Sequence, residues 1–295
     1  MSSEENEENV SGGKRVFRAT FAYLVFIAVF ILGSLLIVAW AYGESAPAAA
    51  KPVALPNAHS HNDYLRERPL FDALDRGFCS VEADIFLIDG ELLVAHDRDK
   101  CVPDRTLKAL YLQPLWNRFQ TLGGIQSEAT PFTLLIDIKT DGESVYALLD
   151  QQLAAYDTML TQFTDTTTTP GAVTVIISGD RPVESILKSN PRRAGIDGRL
   201  SDLEGPLNMH QMPLISDNWL SHFKWMGQGP MPEAQASKLN SVVEKAHASN
   251  VRVRFWGIPQ HESMWLALNK AGVDLLNADD LGKLQAVLLG LDKTT

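Results

Sequence analysis

The chain has little cysteine: 2 residues in 295. Two thiols cannot build the disulfide framework of a small secreted domain, so stability must come from a hydrophobic core. Cys79 falls in an apolar, strand-like run and Cys101 in a polar loop. They read as free thiols, with a Cys79–Cys101 bridge as the alternative in an oxidising compartment. Positive charge is also short: 26 Lys and Arg stand against 36 Asp and Glu, a formal net charge of -10. So acidic a chain lacks the broad positive surface that a polyanion needs, which argues against a nucleic-acid partner. One phosphate can still be held by a metal ion or a few basic side chains. Finally, no glycine-rich phosphate loop follows the first strand-like run, which disfavours an open, doubly wound nucleotide-binding sheet.

Apolar sequence is plentiful, at 45%, and its longest stretch lies near the start. Residues 1–18 are acidic and polar, then basic at Lys14, Arg15 and Arg18, and read as a disordered cytoplasmic tail. Ala19–Tyr42 carries no charge over 24 residues. As a helix it spans roughly 36 Å, enough for a hydrocarbon core of about 30 Å. It is apolar all round, unlike a helix that packs one face on a core. Basic residues before it and neutral or acidic ones after it place the N-terminus in the cytoplasm and the remainder outside. The reading is a transmembrane signal anchor; a cleaved signal peptide ending at Ala39-Trp40-Ala41 is the alternative. Residues 43–52 read as a linker, and 53–290 as one folded domain.

Within that domain short apolar strands alternate with helical stretches. Strands are expected at Val53–His59, Ser80–Phe86, Phe132–Ile138, Val173–Ser178, Ala194–Ile196, Met212–Ser216, Val251–Trp256 and Val273–Leu276. Helical stretches are expected at Thr106–Gln120, Ser144–Thr161, Pro232–Ser249 and His261–Ala271. Eight such units predict an α/β fold closed into a TIM (β/α)8 barrel, preceded by the one N-terminal transmembrane helix.

Polar residues gather where these strands end, the face on which barrel enzymes build their sites. The first strand runs into His59-Ser60-His61-Asn62-Asp63-Tyr64, the second carries Glu82-Ala83-Asp84, a hairpin leads to His96-Asp97, and the third ends Asp137-Ile138-Lys139. Strand period two puts Glu82 with Asp84 and Asp137 with Lys139 on common faces. Three inward carboxylates repel one another unless a cation sits among them, and oxygen donors suit Mg²⁺ or Ca²⁺. The plainer reading makes Glu82 and Asp84 ordinary ion-pair partners of Lys139 and Arg254. Two histidines, His59 and His96, bracket the carboxylates and can pass protons near neutral pH. His210, His222 and His261 read as core or surface residues, and His247 as packing within a helix.

These segments resemble the glycerophosphodiester phosphodiesterases and their phospholipase C-like relatives, including spider sphingomyelinase D-type enzymes. The branch typified by fungal altered-inheritance-of-mitochondria proteins resembles it most. The resemblance runs from Leu55 to Leu288, through AHSHNDY at 58–64, VEADIFLIDGELLVAHD at 81–97, LLIDIKTDG at 134–142, VRVRFWGIP at 251–259 and GVDLLNADDL at 272–281. It implies a phosphodiester or phospholipid-type substrate, His59 and His96 as the acid/base couple, and Glu82, Asp84 and Asp137 as metal ligands. It implies Lys139 on the phosphate, and attack by a substrate hydroxyl that gives a cyclic product. One departure stands out: the usual His-Arg-Gly is His59-Ser60-His61 here, which removes a basic contact. Asn62, Arg254 and Trp256 are expected to fill that gap, the last two from one face of a strand.

Two rival classes are open. His-x-His after a first barrel strand also suits amidohydrolase-like zinc enzymes, although those need further histidines at later strand ends. A barrel that binds a lipid headgroup without turnover is the other.

Overall fold

The structure, a computed structural model, describes residues 52–126 and 130–291. The expected tail, the Ala19–Tyr42 anchor and nearly all of the linker lie outside the described residues. Among the described residues no helix is long and apolar enough to cross a membrane.

The strands are β1 (Leu55–Ser60), β2 (Phe78–Ile88), β3 (Glu91–Val94), β4 (Phe132–Ile138), β5 (Gln162–Phe163), β6 (Thr168–Thr169), β7 (Val173–Gly179), β8 (Ala194–Gly198), β9 (Leu214–Asn218), β10 (Arg252–Trp256) and β11 (Leu275–Ala278). Eight of them pair in parallel in the order β1-β11-β10-β9-β8-β7-β4-β2, and β2 returns to β1 and closes the barrel. β3 folds antiparallel onto the far end of β2, while β5 and β6 form a separate hairpin.

All eight expected barrel strands form, some starting later than expected. Val273, for instance, is taken by the cap of the helix before β11: its N–H bonds the Leu268 carbonyl, and Gly272 at φ +86° reverses the chain. The helices are α1 (Phe71–Leu74), α2 (Gln113–Leu122), α3 (Gly142–Ala154), α4 (Val183–Lys188), α5 (Trp219–His222), α6 (Glu233–Ala248), α7 (Glu262–Lys270) and α8 (Leu281–Leu291). In α6 the buried Leu239, Val243 and Ala246 recur at helical spacing. The expected Thr106–Gln120 helix opens as a π-helical turn over Lys108–Leu112 before α2. The expected Ser144–Thr161 helix is shorter: it stops at Ala154, because Leu160 bridges to Val173 and the Thr161 N–H bonds the Val173 carbonyl, so the sheet takes that backbone. Cys79 and Cys101 are both free.

Two apolar regions hold the barrel. The larger lies between sheet and helices, with Trp219, Phe223 and Phe255 among its largest side chains; the first two stack at 4.1 Å. The smaller contains Leu135, Ile176, Leu214 and Leu275. Two residues further along each of those strands the same face carries Asp137, Ser178, Ser216 and Asn277. A dry floor of four aliphatic side chains, each contributing about 1.5–3 kcal/mol by burial, thus lies beneath a polar layer toward the C-terminal strand ends.

Candidate active site

Glu82 and Asp84 stand on β2, and Asp84 is the register partner of Asp137 on β4. One oxygen from each of the three carboxylates lies within 4.8 Å of the others. Two cations accompany them. Arg254 Nη2 donates to both Glu82 oxygens at 3.0 Å and its Nε to Asn277 Oδ1 at 2.7 Å. Lys139 Nζ lies 2.7 Å from Asp84 Oδ2 and 3.5 Å from Asp137 Oδ1. The ion pairs of the plainer sequence reading therefore form. They do not exhaust the carboxylates, because Asp84 Oδ1 is buried without a partner among the described residues.

The titrations reflect this shortage of positive charge. Burial opposes ionisation of Glu82, yet Arg254 and the nearby histidines hold it well below the usual carboxylate range. Asp84 is raised by burial and by Glu82. Asp137 is pushed up to about 6 by burial, with Asp84 and Glu82 acting the same way and Lys139 against them. Gly179, at φ +72°, gives Asp137 its room: a Cβ there would collide with the Ile138 carbonyl and the Asp137 carboxylate.

The first-strand histidines share one inward parity and differ in depth. His59 is fully buried, with Nδ1 2.7 Å from Ser80 Oγ and Nε2 3.7 Å from Glu82 Oε2, too long for a hydrogen bond. Burial, then Arg254, push its imidazole down to about 4, so it is neutral at physiological pH. His61 lies roughly 7 Å further up the strand direction. Its side chain is 26% exposed, with Nδ1 2.7 Å from Asp279 Oδ1 and Nε2 3.7 Å from Glu82 Oε2. Sequence reasoning passed over His61 as a proton carrier, although the shared parity of His-x-His marked it.

His96, 55% exposed at the end of the hairpin, sets Nδ1 3.1 Å from Asp84 Oδ2. Tyr64 Oη reaches Asp84 Oδ2 at 2.7 Å, Asn62 Oδ1 at 2.9 Å and His96 Nδ1 at 3.2 Å. Its single proton can serve one of these, and the shortest contact is to the carboxylate. Asn62 adopts the left-handed region at φ 46°, and its N–H points to Glu82 Oε2 at 3.4 Å. Behind the turn, buried Asp63 accepts from Ser60 Oγ, Tyr111 Oη and the Leu70 N–H, which fixes the loop.

Of the residues expected to touch substrate, Lys139 and Asn62 join the cluster. Arg254 departs from that expectation: it is 2% exposed and committed to Glu82 and Asn277. Trp256, 37% exposed at the end of β10, stands apart from this hydrogen-bonded network.

The protein is a closed (β/α)8 barrel with a histidine-flanked acidic cluster at its C-terminal strand ends. Comparison with known proteins gives its class. Residues 48–196 match the profile of the AIM6-like phosphodiesterase domain, which includes every site residue from His59 to Lys139. An altered inheritance of mitochondria protein 6 homolog from Arthroderma benhamiae is 31% identical over 256 residues, 76% of this chain and 81% of the relative. An altered inheritance of mitochondria protein 6 from Eremothecium gossypii is 32% identical over 269 residues, 77% and 68% respectively. The chain belongs to this AIM6-like phosphodiesterase family. In fold it is similar to a glycerophosphodiester phosphodiesterase from Parabacteroides distasonis, with a TM-score of 0.51 and 13% identity over 80% of this chain and 98% of that one.

Proposed function

We propose that the chain is a divalent-metal-dependent phosphoric diester hydrolase acting on glycerophosphodiesters or phospholipid-type substrates. The observation that carries this reading is the meeting of Glu82, Asp84 and Asp137 with Lys139 and two solvent-facing histidines at one end of the barrel. The cluster fits a cation on its own terms. Asp84 Oδ1 is an orphaned buried acceptor, Asp137 resists ionisation, and the donors are hard carboxylate oxygens suited to Mg²⁺ or Ca²⁺. Glu82, Asp84 and Asp137 would hold the ion, which when bound offsets negative charge growing on the phosphoryl oxygens.

The remaining work falls to the chain's own groups. Lys139 supplies a positive charge for the phosphate beside the carboxylates, and Asn62 lies at the opening. Asp279 on Nδ1 of His61 favours the tautomer whose Nε2 is free to accept a proton. His61 then deprotonates the attacking hydroxyl, from water or from the substrate itself, as the new P–O bond forms. His96, oriented through Nδ1 by Asp84, delivers a proton from Nε2 to the departing oxygen as the old P–O bond breaks. An internal attack gives a cyclic product. The acid role thus stays with His96, and the base role passes from His59 to His61, because a sealed imidazole cannot meet a substrate oxygen. His59 acts as a positioning residue beneath Glu82.

The zinc-hydrolase reading fares worse: among the described residues the group able to share a cation has three carboxylates and no histidine. From the sequence alone we also propose that Ala19–Tyr42 anchors the chain in a membrane, with the barrel outside the cytoplasm.

The test is a screen of the purified chain against glycerophosphodiesters, lysophospholipids and sphingomyelin, in chelator and with Mg²⁺ or Ca²⁺. Metal-dependent release of an alcohol or cyclic phosphate is expected, and lost in Asp137→Asn. Absence of turnover on every diester, or turnover indifferent to chelator, would count against the proposal; the first result would favour a headgroup-binding barrel.

A further inference from the structure

The ends of β7 and β8 carry a second polar cluster that the chemistry above leaves unused. Asp197, buried on β8, accepts through Oδ2 from Ser178 Oγ at 2.7 Å, Ser216 Oγ at 2.5 Å and Arg199 Nη1 at 3.1 Å. Arg199 follows two residues later in extended backbone, so it keeps the inward parity of Asp197 and stands at the barrel mouth. The same Nη1 faces the Asp197 and Gly198 carbonyls at 3.2 and 2.9 Å. Arg181, three residues beyond Ser178, also gives its Nη1 to the Asp197 carbonyl. Two guanidinium groups therefore converge on one carbonyl, and among the described residues the carboxylate paired with them is Asp197, through Arg199. Arg181 is half-buried with no acidic side chain in ion-pair range among those residues, and burial, then the charge of Arg199, push its ionisation down. Among the described residues the Nε and Nη2 groups of both arginines have no protein acceptor, yet none is sealed from solvent.

This pair adjoins the catalytic cluster. Ser178 is the register partner of Asp137, and the Asp180 N–H bonds the Ile138 carbonyl, so the Arg181 turn sits against the end of β4 that bears Lys139. Asp202, which accepts the Arg199 backbone N–H, and Asp137 also act on Arg181 from a distance, but among the described residues neither pairs with a guanidinium. Two like charges with open donors suit an incoming anion, and a guanidinium fork matches carboxylate or phosphate oxygens.

We propose that Arg181 and Arg199 form a second anion subsite at the barrel mouth, which binds a carboxylate or phosphomonoester carried by the substrate in addition to its scissile phosphate. The assignment of the ligand as a diester rests on the function proposed above; the anion subsite itself does not. The substrate class is then a phosphodiester with a second negative group, not a zwitterionic or neutral one.

Two ligand pairs separate the sources of charge. Glycerophosphoserine and glycerophosphoethanolamine differ by a carboxylate, and glycerophosphoinositol 4-phosphate and glycerophosphoinositol by a phosphomonoester. Calorimetric titration of the full chain in chelator, where metal-assisted turnover is off, should show at least one anion-bearing member binding about tenfold more tightly than its counterpart. That is the factor of one charge-assisted hydrogen bond. Arg181→Gln should bring the ratio to within about twofold. Lys188→Gln, which removes an exposed charge from α4 outside the cluster, should preserve it. Arg199→Lys, which keeps a cation beside Asp197, checks that any loss is not misfolding and should reduce the ratio partly. Equal affinities within both pairs, no binding of either anionic ligand at about 10 mM, or a preference unchanged in Arg181→Gln would overturn the subsite. Preferential binding without turnover of any diester would instead sink the hydrolase reading and leave the subsite standing.

Discussion

Asp137 offers the most direct test of whether the acidic cluster is built for a cation. Its carboxyl titrates at about 6 in the fold against 3.8 ordinarily, because burial, Asp84 and Glu82 together outweigh Lys139. A folded-state value above the unfolded one means that the native state binds the proton more tightly. The contribution of this group to stability is therefore fully present below pH 3.8, falls as pH rises to about 6, and is absent above that. The difference corresponds to about 3 kcal/mol. Asp137→Asn removes the ionisation at constant shape, and Lys139 keeps its 2.7 Å contact with Asp84.

In urea denaturation with chelator, Asp137→Asn should match the wild type at pH 4 and exceed it by about 2–3 kcal/mol at pH 7.5. With saturating Mg²⁺ or Ca²⁺ the order should reverse, because the wild type gains binding energy that the variant, short of one ligand, does not. A variant no more stable than wild type at pH 7.5 in chelator would show that Asp137 is already compensated, and the reasoning about an under-neutralised cluster would fail.

Three further outcomes are expected, two from the same geometry and one from the sequence. Loss of His61 or His96 should cost about 10²–10⁴ in rate on an alkyl diester. On a nitrophenyl diester, whose leaving group needs little protonation, His96→Ala should recover most of its loss and His61→Ala should not; a collapse confined to His59→Ala would return the base role to the buried histidine. Arg254→Met leaves Glu82 charged in a 2–6% exposed setting, which should cost about 3–5 kcal/mol in chemical denaturation, whereas little change would mean that the carboxylate has another partner. Finally, carbonate washing should leave the full chain in the membrane pellet with its barrel open to protease from the outer side; release into the supernatant would remove the anchor.

The barrel was legible because its signal is local. Each strand is a short apolar run, and eight of them separated by polar or helical stretches admit few closed arrangements. Where the reading slipped, a tertiary bond had intervened. Leu160 and Thr161 continue an apparently helical stretch, but the edge of Val173 captures their backbone. Residue preferences carry no record of that competition.

The site was legible in parity and opaque in depth. Period two brings Glu82 to the side of Asp84 and Asp137 to the side of Lys139 whatever the rest of the chain does. It also gives His59 and His61 the same direction, and so cannot say which of them is sealed. Depth depends on what lies across the lumen. Arg254 reaches Glu82 from 172 residues away and roofs His59 with a buried ion pair, while Asp279, from the loop after β11, meets His61 at the opening. The same limit hid Arg181 and Arg199, which converge because the ends of two adjacent strands share the Asp197 carbonyl. In a barrel of this kind the inner residues of a strand report which way chemistry faces. The residues just past its end, read together with their neighbours around the rim, determine which groups a substrate meets.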